Sequence, residues 1–294
     1  MLLAILTIVW GLNWPVMKLG ITGYPPFAFR AWSMWLGLPV LAVVLLAMRV
    51  PFAIRRADWP ELLKLAFTNM IFWHLGAILA VQALSSGRAA ILGYTMPIFT
   101  ALWGVALYGE RLRPRHVAGV AACVLGVALL LWHEFGHLSG RPIAALGMLA
   151  VAAVWGLGTQ QLRRTTIEAP TLAIVFWMTV ASTVVTSGAT VLFERDRWAM
   201  PPAPSWGAIA YNAVLIFGIS QAIWLVMARN LPPLASSMSV MLIPVLGVVA
   251  GALWLGEQLH WQDFAAIVLV LVAIASVMVP GRKPKAAERL PEPA

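Results

Sequence analysis

Cysteine is almost missing from this chain: among 294 residues there is one, Cys123. Disulfides within the chain and thiolate metal sites are therefore excluded. Charge is nearly as scarce, with Asp, Glu, Lys and Arg making up 11% of the residues against 61% apolar ones. So little polar surface cannot cover a water-soluble fold. No carboxylate falls in the middle of an apolar run, since Glu61 begins one and Glu110 and Glu257 end others. A proton antiporter driven by a carboxylate at the membrane midplane would need one there. Nor is any connecting stretch long enough to hold a soluble domain. Met1 opens the first run without a charged leader or an Ala-x-Ala cleavage site, so no removable signal peptide is expected.

What is present is apolar length. Runs of about 18 to 24 residues recur, long enough to cross a hydrocarbon layer about 30 Å thick as helices. Ten can be placed, at 2–18, 26–48, 61–83, 88–108, 115–132, 142–162, 170–193, 206–228, 235–255 and 262–279. Backbone groups in hydrocarbon must be satisfied internally, which makes an all-helical bundle the reading consistent with spans of this length. The remainder from Gly281 is rich in Pro, Ala and charge and is expected to be disordered.

The runs are duplicated. Pro97 is followed twelve residues later by Gly109-Glu110 and then Leu112, and the same pattern returns 147 positions on as Pro244, Gly256-Glu257 and Leu259. Ile8-Val9-Trp10-Gly11-Leu12 is echoed at an offset of 145 by Ala153-Val154-Trp155-Gly156-Leu157. Two repeats of five spans follow, and an odd number of spans forces the second copy to enter the membrane from the opposite face. The predicted fold is thus all-α and polytopic, with ten transmembrane helices in two inverted five-helix repeats. The first repeat covers 1–132 and the second 142–279, followed by a tail over 280–294.

The net charge of +9 invites a polyanionic partner, but its placement argues for orientation. Thirteen Lys and Arg residues follow even-numbered spans, whereas six, Lys18, Arg30, Arg88, Arg141, Arg195 and Arg197, flank the other side. This positive-inside bias puts both termini in the cytoplasm of a bacterial inner membrane and calls for lipid, not nucleic acid. Trp59, Trp132, Trp198, Trp206 and Trp261 lie at span ends, as belt residues do; Trp10, Trp73 and Trp155 lie too deep for that role.

Small residues suggest where helices meet: Ala118, Ala122 and Gly126 in span five, Gly93, Ala101 and Gly104 in span four, Gly247 and Gly251 in span nine. Pro97 and Pro244 fall near mid-span and read either as paired hinges or as ordinary membrane-helix prolines. One motif points elsewhere. His133-Glu134-Phe135-Gly136-His137 matches the zinc-hydrolase string, in which two histidines one turn apart hold the metal and the glutamate acts as base. Here it falls beyond the end of span five with Gly136 inside it, so a loop is expected and neither a metal nor a cofactor is assigned.

Polar residues inside the spans are better functional candidates. Trp10, Asn13, Trp14 and Met17 share one face of span one; Asn69, Trp73 and His74 sit near the centre of span three; Phe217, Ser220, Gln221 and Trp224 line span eight. Amides are costly against lipid, so these faces point inward, either bonding other helices or lining a cavity. Together with Tyr94 and Trp155 they suit a small ligand that is partly apolar and neutral overall. His74 is the titratable group nearest the midplane. The reading that follows is a facilitator, with proton coupling through His74 as the alternative.

Ten spans in inverted halves, Trp-Gly near the middle of the first helix of each half, and Pro followed by Gly-Glu-x-Leu in spans four and nine make the chain resemble the drug/metabolite transporter superfamily, EamA type. The resemblance covers essentially the whole chain. Within the superfamily the chain is similar to YddG-type exporters, which implies efflux of aromatic and other neutral amino acids through a central cavity between the halves, by alternating access and without catalysis. The substrate-binding residues would be Trp10, Asn13, Trp14, Asn69, Trp73, His74, Tyr94, Trp155, Ser220, Gln221 and Trp224, with Pro97 and Pro244 as hinges. Small multidrug relatives carry a glutamate in their first helix, which this chain lacks. A proton-coupled efflux pump and a membrane zinc hydrolase remain as alternatives, and the oligomeric state is left open, a monomer included.

Overall fold

The computed structural model describes residues 2–111, 114–136, 141–220, 223 and 233–278, and among these there is no strand. The helices are α1 (Leu2–Gly20), α2 (Pro26–Ala47), α3 (Trp59–Ala66), α4 (Phe72–Ala83), α5 (Ser86–Gly93), α6 (Met96–Tyr108), α7 (Pro114–Gly136), α8 (Pro142–Leu162), α9 (Thr171–Phe193), α10 (Ala203–Tyr211), α11 (Pro233–Leu255) and α12 (Trp261–Met278). A π-helical turn over Phe67–Ile71 joins α3 to α4, and a longer π-helical segment, Asn212–Ser220, continues α10. The second π segment begins 145 positions after the first, the same offset that relates the Trp-Gly echoes.

Seven described stretches are long and apolar enough to cross a membrane: Pro26–Ala47, Arg56–Ala83, Ser86–Tyr108, Pro114–Trp132, Pro142–Leu162, Thr171–Phe193 and Ala203–Ser220. Leu242–Leu255 and Trp261–Ser276 are shorter apolar helices. Large apolar side chains lie open on the outside of the bundle, among them Leu192 at 77% exposure and Leu253 at 76%. Such a surface is stable in lipid and not in water. The molecule is an all-helical, multi-pass membrane protein.

The core is built across the two halves of the chain. α1 packs on α11, α5 and α6 pack on α8, α2 packs on α9 and on the π segment after α10, and α7 packs on α12. Each of these contacts joins a helix before residue 137 to one after residue 140, so neither half buries its apolar faces alone. Trp132, Trp198 and Trp261 are exposed at helix ends, as belt residues should be. Trp59 and Trp206 pack instead on Trp177 and Trp32, with ring centroids 5.2 and 5.5 Å apart.

Three local expectations change. Span four is not one kinked helix: α5 stops at Gly93, Tyr94 and Thr95 form a turn, and Pro97 sits in the first turn of α6, where its missing N–H has no helical partner to lose. Pro244, its counterpart, lies inside the unbroken α11. The close face of α7 carries Gly119, Ala122, Cys123 and Gly126, whereas Ala118 is exposed. The zinc-like string does not begin in a loop either, because α7 runs on through Gly136; His137 lies outside the described residues. Among the described residues no group of three metal-ligating side chains comes together.

Candidate functional site

Aromatic rings from three helices and a turn meet in the interior. Trp14 on α1 approaches Trp73 on α4 edge to face, with centroids 6.2 Å apart at 85°, and Tyr94 in the turn after α5 at 6.3 Å and 64°. Trp73 in turn lies 4.2 Å from Trp155 on α8. Trp14 and Tyr94 are buried, Trp73 and Trp155 half-buried. Edge-to-face and tilted pairs of this kind satisfy the ring quadrupoles. The predicted residues Trp14, Trp73, Tyr94 and Trp155 are therefore brought together. Trp10 and Asn13 lie half-buried on the same helix face as Trp14, and the buried Asn13 Oδ1 has no hydrogen-bond partner.

Beside the rings lies a polar cluster. Arg30 on α2 is 2% exposed; it donates to Asn212 Oδ1 at 3.3 Å and lies 2.7 Å from Met17 Sδ. Its guanidinium carbon sits 5.8 Å from the centre of the Phe217 ring, and His74 lies 5.1 Å from the same ring. His74 is buried and its Nδ1 has no partner. Arg30 was expected at the water-facing flank of span two, and Asn212 was not singled out at all. The burial of both follows from the packing of α2 on the π segment, a contact between positions 182 residues apart.

Asn69 donates from Nδ2 to its own helix, to Leu65 O at 3.0 Å and to Thr68 Oγ1 at 3.3 Å, and its amide lies against Gly158 on α8. Ser220 is buried at the end of the π segment. Gln221 and Trp224 lie outside the described residues. A stripe of hydroxyls along α9 was not anticipated. Thr179, Thr183 and Thr190 return their protons to carbonyls four residues back, which hides them from a hydropathy reading.

Ionic groups concentrate at helix ends. At one end Lys18 Nζ donates to the carbonyls of Val81, Gln82 and Leu84 at 2.7–3.0 Å, closing the C-terminus of α4. Glu257 there accepts from the backbone of Ser86 at 2.6 Å and Gly87 at 3.2 Å, the first turn of α5. Arg88 pairs with Asp263 at 2.8 Å, both nearly buried. At the start of α2, Glu194 accepts from Phe27 N and Ala28 N at 3.0 and 2.7 Å. Glu110, the repeat counterpart of Glu257, binds Arg164 at 2.6 Å instead, and that hydrogen bond holds its carboxyl below the usual carboxylate range. Gly109 and Gly256, which precede the two glutamates, both end their helices in the left-handed region, at φ 65° and 64°. A side chain would be strained there, so the recurring Gly-Glu pair is a helix stop followed by a placed carboxylate.

A multi-pass helical bundle with an aromatic and polar interior contributed by both halves defines a membrane transporter in class. The chain belongs to the EamA-like transporter family, which matches it twice, at residues 1–132 and 142–279. It is 26% identical over 92% of its length to a probable amino-acid metabolite efflux pump of Escherichia coli (strain K12), of which the match covers 91%. It is 28% identical to the aromatic amino acid exporter YddG of Ancylobacter novellus, over 68% of this chain and 69% of that one. A crystal structure of a protein 21% identical in sequence superposes with a TM-score of 0.69, over 97% of this chain and 98% of that chain. That likeness shows the fold.

Proposed function

We propose that this transporter exports small metabolites that are neutral overall, aromatic and other neutral amino acids foremost, from the cytoplasm by alternating access between two inverted five-helix repeats. The carrying observation is the ring cluster Trp14, Trp73, Tyr94 and Trp155, drawn from α1, α4, the turn after α5, and α8. Rings at that junction offer stacking and apolar contact to a planar side chain and change their mutual geometry when the halves move. The names of the two relatives support the substrate class, and the repeat offset of the π segments and Gly-Glu stops supports the inverted arrangement. Both termini are placed in the cytoplasm of the inner membrane, and the hinge role is assigned to Pro97 and Pro244.

Among the described residues every carboxylate lies at or beyond a helix end. This supports a facilitator over a carboxylate-driven antiporter. The test is flux of labelled phenylalanine and tryptophan in proteoliposomes holding the full chain, without an imposed pH difference. Trp73→Ala or Trp155→Ala removes ring contacts worth about 0.5–1.5 kcal/mol each, so the half-saturating concentration should rise roughly two- to tenfold. Parental kinetics in both variants would return these rings to helix packing.

A further inference from the structure

Among the described side chains Arg30 has no carboxylate to answer its charge. Every carboxylate whose side chain is described is engaged elsewhere or faces water: Glu194 caps α2, Glu257 caps α5, Asp263 pairs with Arg88, Glu110 with Arg164, Asp58 and Glu168 with Arg55, and Glu61 accepts from Thr165 and Thr166, while Asp196 is exposed. The guanidinium, 2% exposed, holds an amide oxygen at 3.3 Å and a thioether sulfur, and its Nε has no partner. A thioether is a weak acceptor, whereas the planar fork of arginine matches a carboxylate in two hydrogen bonds. A cation buried at this desolvation cost without an answering charge points to a ligand that supplies one. Two more buried polar atoms nearby are unsatisfied. His74 Nδ1 sits beside the shared Phe217 ring, and Asn13 Oδ1 lies one helical turn from Met17 on α1.

We propose that Arg30 receives the carboxylate of the transported ligand, which takes the place of Met17 Sδ, with the His74 ring as a second donor in the tautomer that protonates Nδ1. This rests on the transport reading and deepens it, by making a carboxylate on an apolar or aromatic body the feature that defines the substrate class. The cluster joins α1, α2, α4 and the π segment after α10, so a ligand held there bridges both halves. The ring cluster, through Trp14 and Trp73, adjoins it at Asn13 and His74.

The experiment measures melting-temperature shifts of the purified full chain with phenylalanine, 3-phenylpropionate, phenylalaninamide and phenethylamine, beside phenylalanine flux in proteoliposomes. The two carboxylates should stabilise the protein at concentrations at least tenfold lower than the amide and the amine. In Arg30→Gln the advantage of phenylalanine over its amide should shrink to within twofold, and Arg30→Lys should keep part of it. Should Arg30→Gln not fold, the four ligands on the unaltered chain decide. Equal shifts with acid and amide, or no shift with either carboxylate, overturn the assignment even where phenylalanine flux is measured. Carboxylate-selective shifts without flux leave Arg30 as an anion receptor and remove the export reading instead.

Discussion

Ser276 leaves no room for a methyl group on Gly119. A Cβ at that position would overlap Ser276 Oγ, approach Ser276 Cβ to 2.7 Å, and lie 3.2 Å from the carbonyl of Ala273. Backbone approach this close lets α7 and α12 pack along much of their length, the membrane counterpart of a small-residue seam. Overpacking of this kind typically costs about 1–3 kcal/mol. Gly119→Ala should therefore lower the melting temperature of the purified protein, and the double variant Gly119→Ala with Ser276→Gly should recover most of the loss. No recovery would mean that the contact with the Ala273 backbone sets the cost. The sequence pointed to this face only in part. It marked Ala122 and Gly126 correctly but placed Ala118 in the seam, because a four-residue step and the true helical phase diverge by one position within two turns.

At the scale of elements, one motif has two settings. Glu257 reaches from the turn after α11 to the N-terminus of α5, where charge, backbone donors and helix dipole favour a carboxylate. Glu110 stands after the equivalent stop yet pairs with Arg164 and Gln160. Near the same positions Pro97 begins a new helix and Pro244 does not interrupt one. If the Glu257 contact holds one end shut, Glu257→Gln, which leaves one oxygen able to accept where two did, forfeits about 1 kcal/mol, roughly fivefold in population. A cysteine at Leu84, 4% exposed beside this contact, should then react about fivefold faster with a thiol reagent. Glu110→Gln should leave that rate unchanged, and equal acceleration by both would sink the latch reading. The Gly-Glu pattern was legible because a left-handed stop needs glycine. Its two settings were not, since they depend on partners 50 to 171 residues away.

For the whole molecule, sequence length and composition carried the class while partner choice stayed hidden. Apolar runs of membrane length follow from composition alone; Trp73 and Trp155 could be found because tryptophan too deep for the interfacial belt needs another reason, and Trp14 because it shares a helix face with Trp10 and Asn13. Arg30 could not be found that way. Four residues into α2 it reads as a flank, and only the contacts with Met17, Asn212 and Phe217 show it buried. The same limit applies to orientation, which charge counting predicts and helix packing alone does not fix. Arg56, between α2 and α3, and Arg197, between α9 and α10, occupy equivalent connections of the two repeats, and both are exposed. Repeats inserted in the same sense would put them on one side of the membrane; inverted repeats put them on opposite sides. Cys123, 5% exposed, gives little background. With single cysteines placed at each position, an impermeant maleimide on intact cells should label the Arg197 site. The Arg56 site should label only after permeabilisation, as the positive-inside bias requires. Labelling of both sites in intact cells would exclude the inverted arrangement.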